Sequence, residues 1–160
     1  MLYWCGMASQ HSYRITLSNN KTEKQGLDYL IEQDPAFLLP TKDGRRQIME
    51  ALGVEKRFAR AFDLFRLPGH ANNEQEIVLN DTSQIMLVEL KTTMKYLPNN
   101  PKGFFFGATQ NEFELAEYLG DQFRFCFVSL HPESRGYKLL SLEELEGEIV
   151  NKRTQFQINL

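Results

Sequence analysis

A carboxylate and an amine stand two residues apart at the end of the apolar run Ile85-Met86-Leu87-Val88-Glu89-Leu90-Lys91. In a strand, residues i and i+2 share a face, so Glu89 and Lys91 would lie side by side about 7 Å apart, together with Ile85 and Leu87. Such groups are rarely taken out of water without partners. The segment Glu74-Gln75-Glu76-Ile77-Val78-Leu79-Asn80 also has strand character, and Asp81-Thr82-Ser83-Gln84 is a polar break of hairpin length. Folded back, the hairpin would set Asn80 opposite Ile85, Glu76 opposite Glu89 and Glu74 opposite Lys91, with facing Cβ atoms about 4.5–5.5 Å apart. Facing carboxylates repel unless a cation lies between them, and hard cations such as Mg²⁺ bind through carboxylate oxygens. The plainer reading is a solvated sheet end carrying a Glu–Lys ion pair.

The elements that must position these groups come from one chain of 160 residues, enough for a single domain with its own core. Hydrophobic residues make up 42% and charged residues 24%, the balance of a globular chain and not of a disordered one. No apolar run reaches the roughly 20 residues of a membrane span, and Met1-Leu2-Tyr3-Trp4-Cys5 is too short for a signal-peptide core. Met7 is a second candidate start, which would make the first six residues dispensable. Cys5 and Cys126 form no disulfide framework, which points to a reducing cytoplasm. His11, His70 and His131 are scattered without zinc-site spacing, and there is no glycine-rich phosphate loop, so neither zinc nor an organic cofactor is expected.

The net charge of −3 argues against a protein that coats DNA by charge alone. Locally, Lys42, Arg45, Arg46, Lys56, Arg57, Arg60 and Arg66 crowd one part of the chain. Arg45, Arg46 and Arg57, joined by Lys95 and Lys102 after the Glu-x-Lys strand, are the candidate phosphate contacts; solvated helix faces give the same pattern.

Weak alternation over 11–17 suggests a strand, and the spacing of Leu27, Leu30 and Ile31 a helix over 22–32. Asp43 can cap a helix that runs to Leu52 and stops at Gly53. A helical start at Glu55 gives way to a strand near 61–67. After a Pro- and Asn-rich loop over 94–102 comes Gly103-Phe104-Phe105-Phe106-Gly107, which reads as core. Thr109-Gln110-Asn111-Glu112 has the capping-box pattern, which predicts a helix to Leu119 and makes Glu112 a cap, not a catalyst. Residues 123–130 read as a strand buried on both faces, and Ser141-Leu142-Glu143-Glu144 offers a second capping box.

The resulting order of helix, three strands with Glu-x-Lys on the third, helix and strand resembles the core of the PD-(D/E)XK nuclease superfamily over about residues 44–130. The stretches Val88-Glu89-Leu90-Lys91-Thr92-Thr93, Thr109-Gln110-Asn111-Glu112 and Phe123-Arg124-Phe125 also look like that superfamily's NO VEIN C-terminal-type branch. The resemblance implies an α/β fold with a restriction-endonuclease-like core, a mixed sheet flanked by helices. It implies a Mg²⁺-dependent endonuclease, with Mn²⁺ as a substitute, acting on DNA in a restriction or defence role, with a homodimer compatible. Glu76, Glu89 and the Leu90 carbonyl would hold the metal, and Lys91 would position and help deprotonate the attacking water. The superfamily usually has Asp at the first acid, so Glu76 departs from its pattern and keeps Glu74, Asp63 and Asp81 in reserve. The departure and the acidic balance support the runner-up, a degenerate nuclease-fold module that binds nucleic acid or a protein.

Overall fold

A computed structural model describes residues 21–69 and 82–160. Its centre is a five-stranded mixed sheet with neighbours in chain order: β1 (Phe37–Leu38), β2 (Leu64–Arg66), β3 (Met86–Thr93), β4 (Phe123–Ser129) and β5 (Gly136–Leu140). All neighbouring pairs are antiparallel except β3 and β4, which run parallel. A parallel pair needs a crossover. Here it carries helix α3 (Gln110–Leu119), while α1 (21–33), α2 (Lys42–Ala51) and α4 (Leu142–Glu148) complete the helical layers. Among the described residues no helix is long and apolar enough to cross a membrane.

The strand alternation sorts the core into two layers. Leu87 of β3, Phe65 of β2 and Phe123, Phe125 and Phe127 of β4 face α2, α3 and α4, where Ile48, Met49, Leu115, Ala116 and Leu145 meet them. On the opposite face Leu64, Val88, Leu90, Cys126 and Val128 pack with Phe37 and with Leu30 of α1. A sheet covered on both faces accounts for the largely apolar character of residues 123–130, interrupted only by Arg124 and Ser129. Burial also pushes the Cys126 thiol up, so it acts as a small apolar side chain.

Three local expectations need correction. The cap of α2 is Thr41, whose hydroxyl accepts from Gly44 N at 3.0 Å, and Asp43 sits exposed inside the first turn. The helical start near Glu55 is a single 3-10 turn, Lys56–Phe58. The partner of β3 is also different. Positions 86–88 pair with 64–66 on one edge, and β4 takes the other from Leu87 onward, so neither edge at Leu87 and Val88 is left for the pairing expected there. Residues 11–17, His70, Glu74, Glu76 and Asp81 lie outside the described residues.

Candidate functional site

Glu89 and Lys91 share the sheet face predicted for them, beyond Leu87, and are nearly withdrawn from solvent. Lys91 Nζ donates to Glu89 Oε1 at 3.2 Å and to Glu112 Oε1 at 2.5 Å. The α3 capping box is present as expected: the Thr109 hydroxyl accepts from Glu112 N, and Glu112 Oε2 accepts from Thr109 N and Oγ1. One carboxylate therefore starts a helix with one oxygen and holds the Lys91 ammonium with the other. Desolvation pushes the Glu112 carboxyl up, but the hydrogen bond and charge of Lys91, with the Thr109 bonds, more than offset it and keep the group ionised. Desolvation likewise pulls Lys91 down, and the two carboxylates outweigh it, leaving a cation.

The acid opposite Glu89 is Asp63. The β2–β3 register, continued one step beyond Leu64↔Val88, brings position 63 to position 89, and Asp63 N donates to Val88 O at 2.9 Å. There β2 ends, and the Asp63 side chain replaces its backbone: Oδ2 accepts from Leu90 N at 2.7 Å. N–H and C=O of one strand residue project to the same edge. The Leu90 carbonyl is therefore directed to the edge where Asp63 stands.

Glu89 Oε2 is buried without a hydrogen-bond partner. Burial, then the Asp63 charge, push this carboxyl up to about 10 against the pull of Lys91. An orphaned, buried carboxyl oxygen beside a second acid is a group that a hard cation, by favouring the ionised form, would satisfy. Among the described residues no group of three or more His, Cys, Asp or Glu side chains is arranged to hold a metal. The two carboxyls that adjoin here are Asp63 and Glu89.

Sequence reasoning missed Glu23. It lies on α1, with its carboxyl within hydrogen-bonding reach of Asp63; burial and the Asp63 charge raise it. It is brought there by Gly26, where an added Cβ would lie 2.3 Å from Thr92 Cγ2, so only glycine lets α1 cross β3 this closely. An isolated glycine inside a helix is the signal that could have pointed to this crossing. Glu23, Leu27, Leu39, Arg45, Asp63 and Leu90 line an open cleft of about 290 Å³.

The basic residues separate. Arg45 is half buried, its guanidinium donating to the carbonyls of Ala59, Phe62 and Asp63 at 3.0, 2.6 and 2.9 Å and lying over the Phe62 ring. It holds the turn that delivers Asp63. Arg46 stands 3.8 Å from Asp43 on the surface. Arg57 pairs with Glu55 at 2.8 Å and Glu114 at 2.6 Å. Lys95 and Lys102 are exposed on the loop after β3. No protein-family model matches the chain, and no curated protein or solved structure matches it.

Proposed function

We propose that this chain is a metal-dependent endonuclease that hydrolyses phosphodiester bonds in DNA, with a restriction-endonuclease-like core, in a restriction or defence setting. The observation that carries the reading is the unpartnered Glu89 Oε2 beside Asp63 and against Lys91. Over residues 44–130, the span of the PD-(D/E)XK resemblance, the described elements run α2, β2, β3, α3, β4, and Glu-x-Lys on the strand before α3 and β4 supports the reading; the strand expected over 74–80 lies outside the described residues.

Asp63, Glu89 and the Leu90 carbonyl would hold Mg²⁺, with Mn²⁺ as its substitute, and Asp63 takes the part expected of Glu76. A cation bound there would neutralise charge developing on the phosphate and its leaving oxygen. Lys91 has three donors. Two of them go to Glu89 and Glu112, and the third can orient a water or a phosphate oxygen. Held cationic by its bonds to Glu112 and Glu89, Lys91 positions the nucleophile and stabilises charge; it is not a free base awaiting a proton. Arg45 acts through Asp63 as a positioning residue, and phosphate contacts fall to Lys95 and Lys102.

The test is incubation with supercoiled plasmid and with RNA, with and without Mg²⁺ or Mn²⁺. Divalent-dependent nicking that Glu89→Ala abolishes supports the reading. Absence of cleavage of every DNA and RNA tried, with no metal-dependent melting shift, would move the assignment to a degenerate binding module.

A further inference from the structure

From Leu90 to Asn111 this net-acidic chain carries Lys91, Lys95 and Lys102 and no acidic residue. Inside that stretch lies Phe104-Phe105-Phe106. Phe104 and Phe106 point inward, each with its ring centroid 5.0 Å from that of Phe127, the β4 residue paired with Lys91. The Phe106 ring lies 5.9 Å from Lys91 Nζ. Phe105, between them, is 94% exposed. Leaving such a side chain in water forgoes the free energy of burying it.

The loop is fastened. The Ser129 hydroxyl donates to Lys95 O at 3.2 Å, Leu97 N donates to Ser134 Oγ at 3.0 Å, and Asn100 Nδ2 donates to Phe127 O at 3.0 Å. Gly103, at φ +86°, makes the left-handed turn into the three phenylalanines. Half-exposed Tyr96 lies 5.2 Å from the ring of His131. Exposed aromatics and cations together, on a pinned backbone, are what a strand with unstacked bases requires: phosphates pair with the lysines and a base lies on the ring. A closed duplex offers no free base face to Phe105.

We infer that Phe105 stacks on an unpaired base of a strand whose phosphates pair with Lys95 and Lys102, so that the substrate is single-stranded or locally melted DNA. This rests on the nuclease reading for what happens at Lys91, but the stacking contact has its own readout. The full-length chain is mixed, in EDTA, with a fluorescein-labelled single-stranded oligodeoxynucleotide, with the same strand carrying one 2-aminopurine, and with the matching duplex. The expected result is tighter binding of the single strand and quenching of 2-aminopurine. Phe105→Ala should remove the quenching and weaken single-strand binding roughly 5- to 100-fold, whereas Phe105→Trp should keep both. Unchanged affinity and quenching in Phe105→Ala, or equal affinity for duplex and single strand, overturns the inference. Tighter Phe105-dependent binding of the matching RNA overturns the assignment to DNA. Phe105-dependent quenching without any divalent-dependent cleavage sustains stacking and removes the hydrolytic reading; cleavage without quenching does the reverse.

Discussion

The helices α3 and α4 open with the same capping box in two different surroundings. At α4 the Ser141 hydroxyl accepts from Glu144 N and Glu144 Oε1 accepts from Ser141 N, each at 3.1 Å, in contact with water. At α3 the Thr109 and Glu112 bonds repeat the pattern, but Glu112 is only 4% exposed and its remaining oxygen meets Lys91. Both carboxyls sit below the usual range for different reasons. For Glu144 the bonds from the Ser141 backbone and side chain suffice, whereas for Glu112 Lys91 must first overcome a desolvation that pushes the other way. A short motif fixes what a side chain does for its own backbone. Burial fixes what the rest of that side chain must find, and water does not supply it at α3.

The largest expected effect comes from deleting what separates the two boxes. Lys91→Ala leaves Glu112 with capping alone and should lower divalent-dependent cleavage by about two orders of magnitude or more. Glu89→Ala and Asp63→Ala should do the same and also abolish the rise in melting temperature that Mg²⁺ gives the wild type by linkage, which Lys91→Ala should retain. A Glu89→Ala protein with an intact Mg²⁺ shift would remove Glu89 from the metal site.

Next comes stability. Glu112→Ala strips a buried charged partner from Lys91 and should cost roughly 2–3 kcal/mol in urea unfolding. Glu144→Ala should give a much smaller melting shift, and equal losses would break the contrast. Ser141→Ala, a lost exposed cap, should cost about 1 kcal/mol.

The smallest effect is in the pH profile. Glu112 has a folded value below its unfolded one, so its stability is present above the ordinary carboxyl range near 4.5 and is lost as pH falls through the folded value; Glu112→Gln should flatten that acid limb. Glu89 has the opposite sign. Raised to about 10, it contributes stability that is complete below about 4.5 and declines as pH rises toward 10, a decline Glu89→Gln should remove in metal-free buffer. Parallel profiles for the wild type and both glutamines, read by chemical denaturation across pH, would dismiss both assignments.

Much of the site was legible because it rests on local rules. The i, i+2 spacing of Glu89 and Lys91, the two capping boxes and the apolar run of β4 depend on nearby residues, and the structure has them. The identity of the second acid was not local. Asp63 follows Ala61-Phe62 and precedes a strand of only three residues, so the pairing of 64–66 with 86–88 left little local signal, and Glu76, on a longer apolar segment nearer in sequence, drew the expectation although it lies outside the described residues. β1, two residues long, and β5, with the mixed sequence Gly136-Tyr137-Lys138-Leu139-Leu140, gave too little alternation to be read. Arg45 looked like surface charge because the carbonyls it serves lie 14 to 18 positions away.

Gly26 gives the cleft a one-way tolerance. Where α1 crosses β3, Gly26 has no side chain left to trim and an added Cβ meets Thr92 Cγ2, so every substitution at 26 can only wedge the two elements apart. Glu23 rides on the same helix, and the gap between its carboxyl and that of Asp63 therefore has a floor set by Gly26 against Thr92 and no matching ceiling. Gly26→Ala, then Gly26→Val, is a graded shim for lifting one wall of the candidate site while the strand bearing Glu89 and Lys91 keeps its sequence.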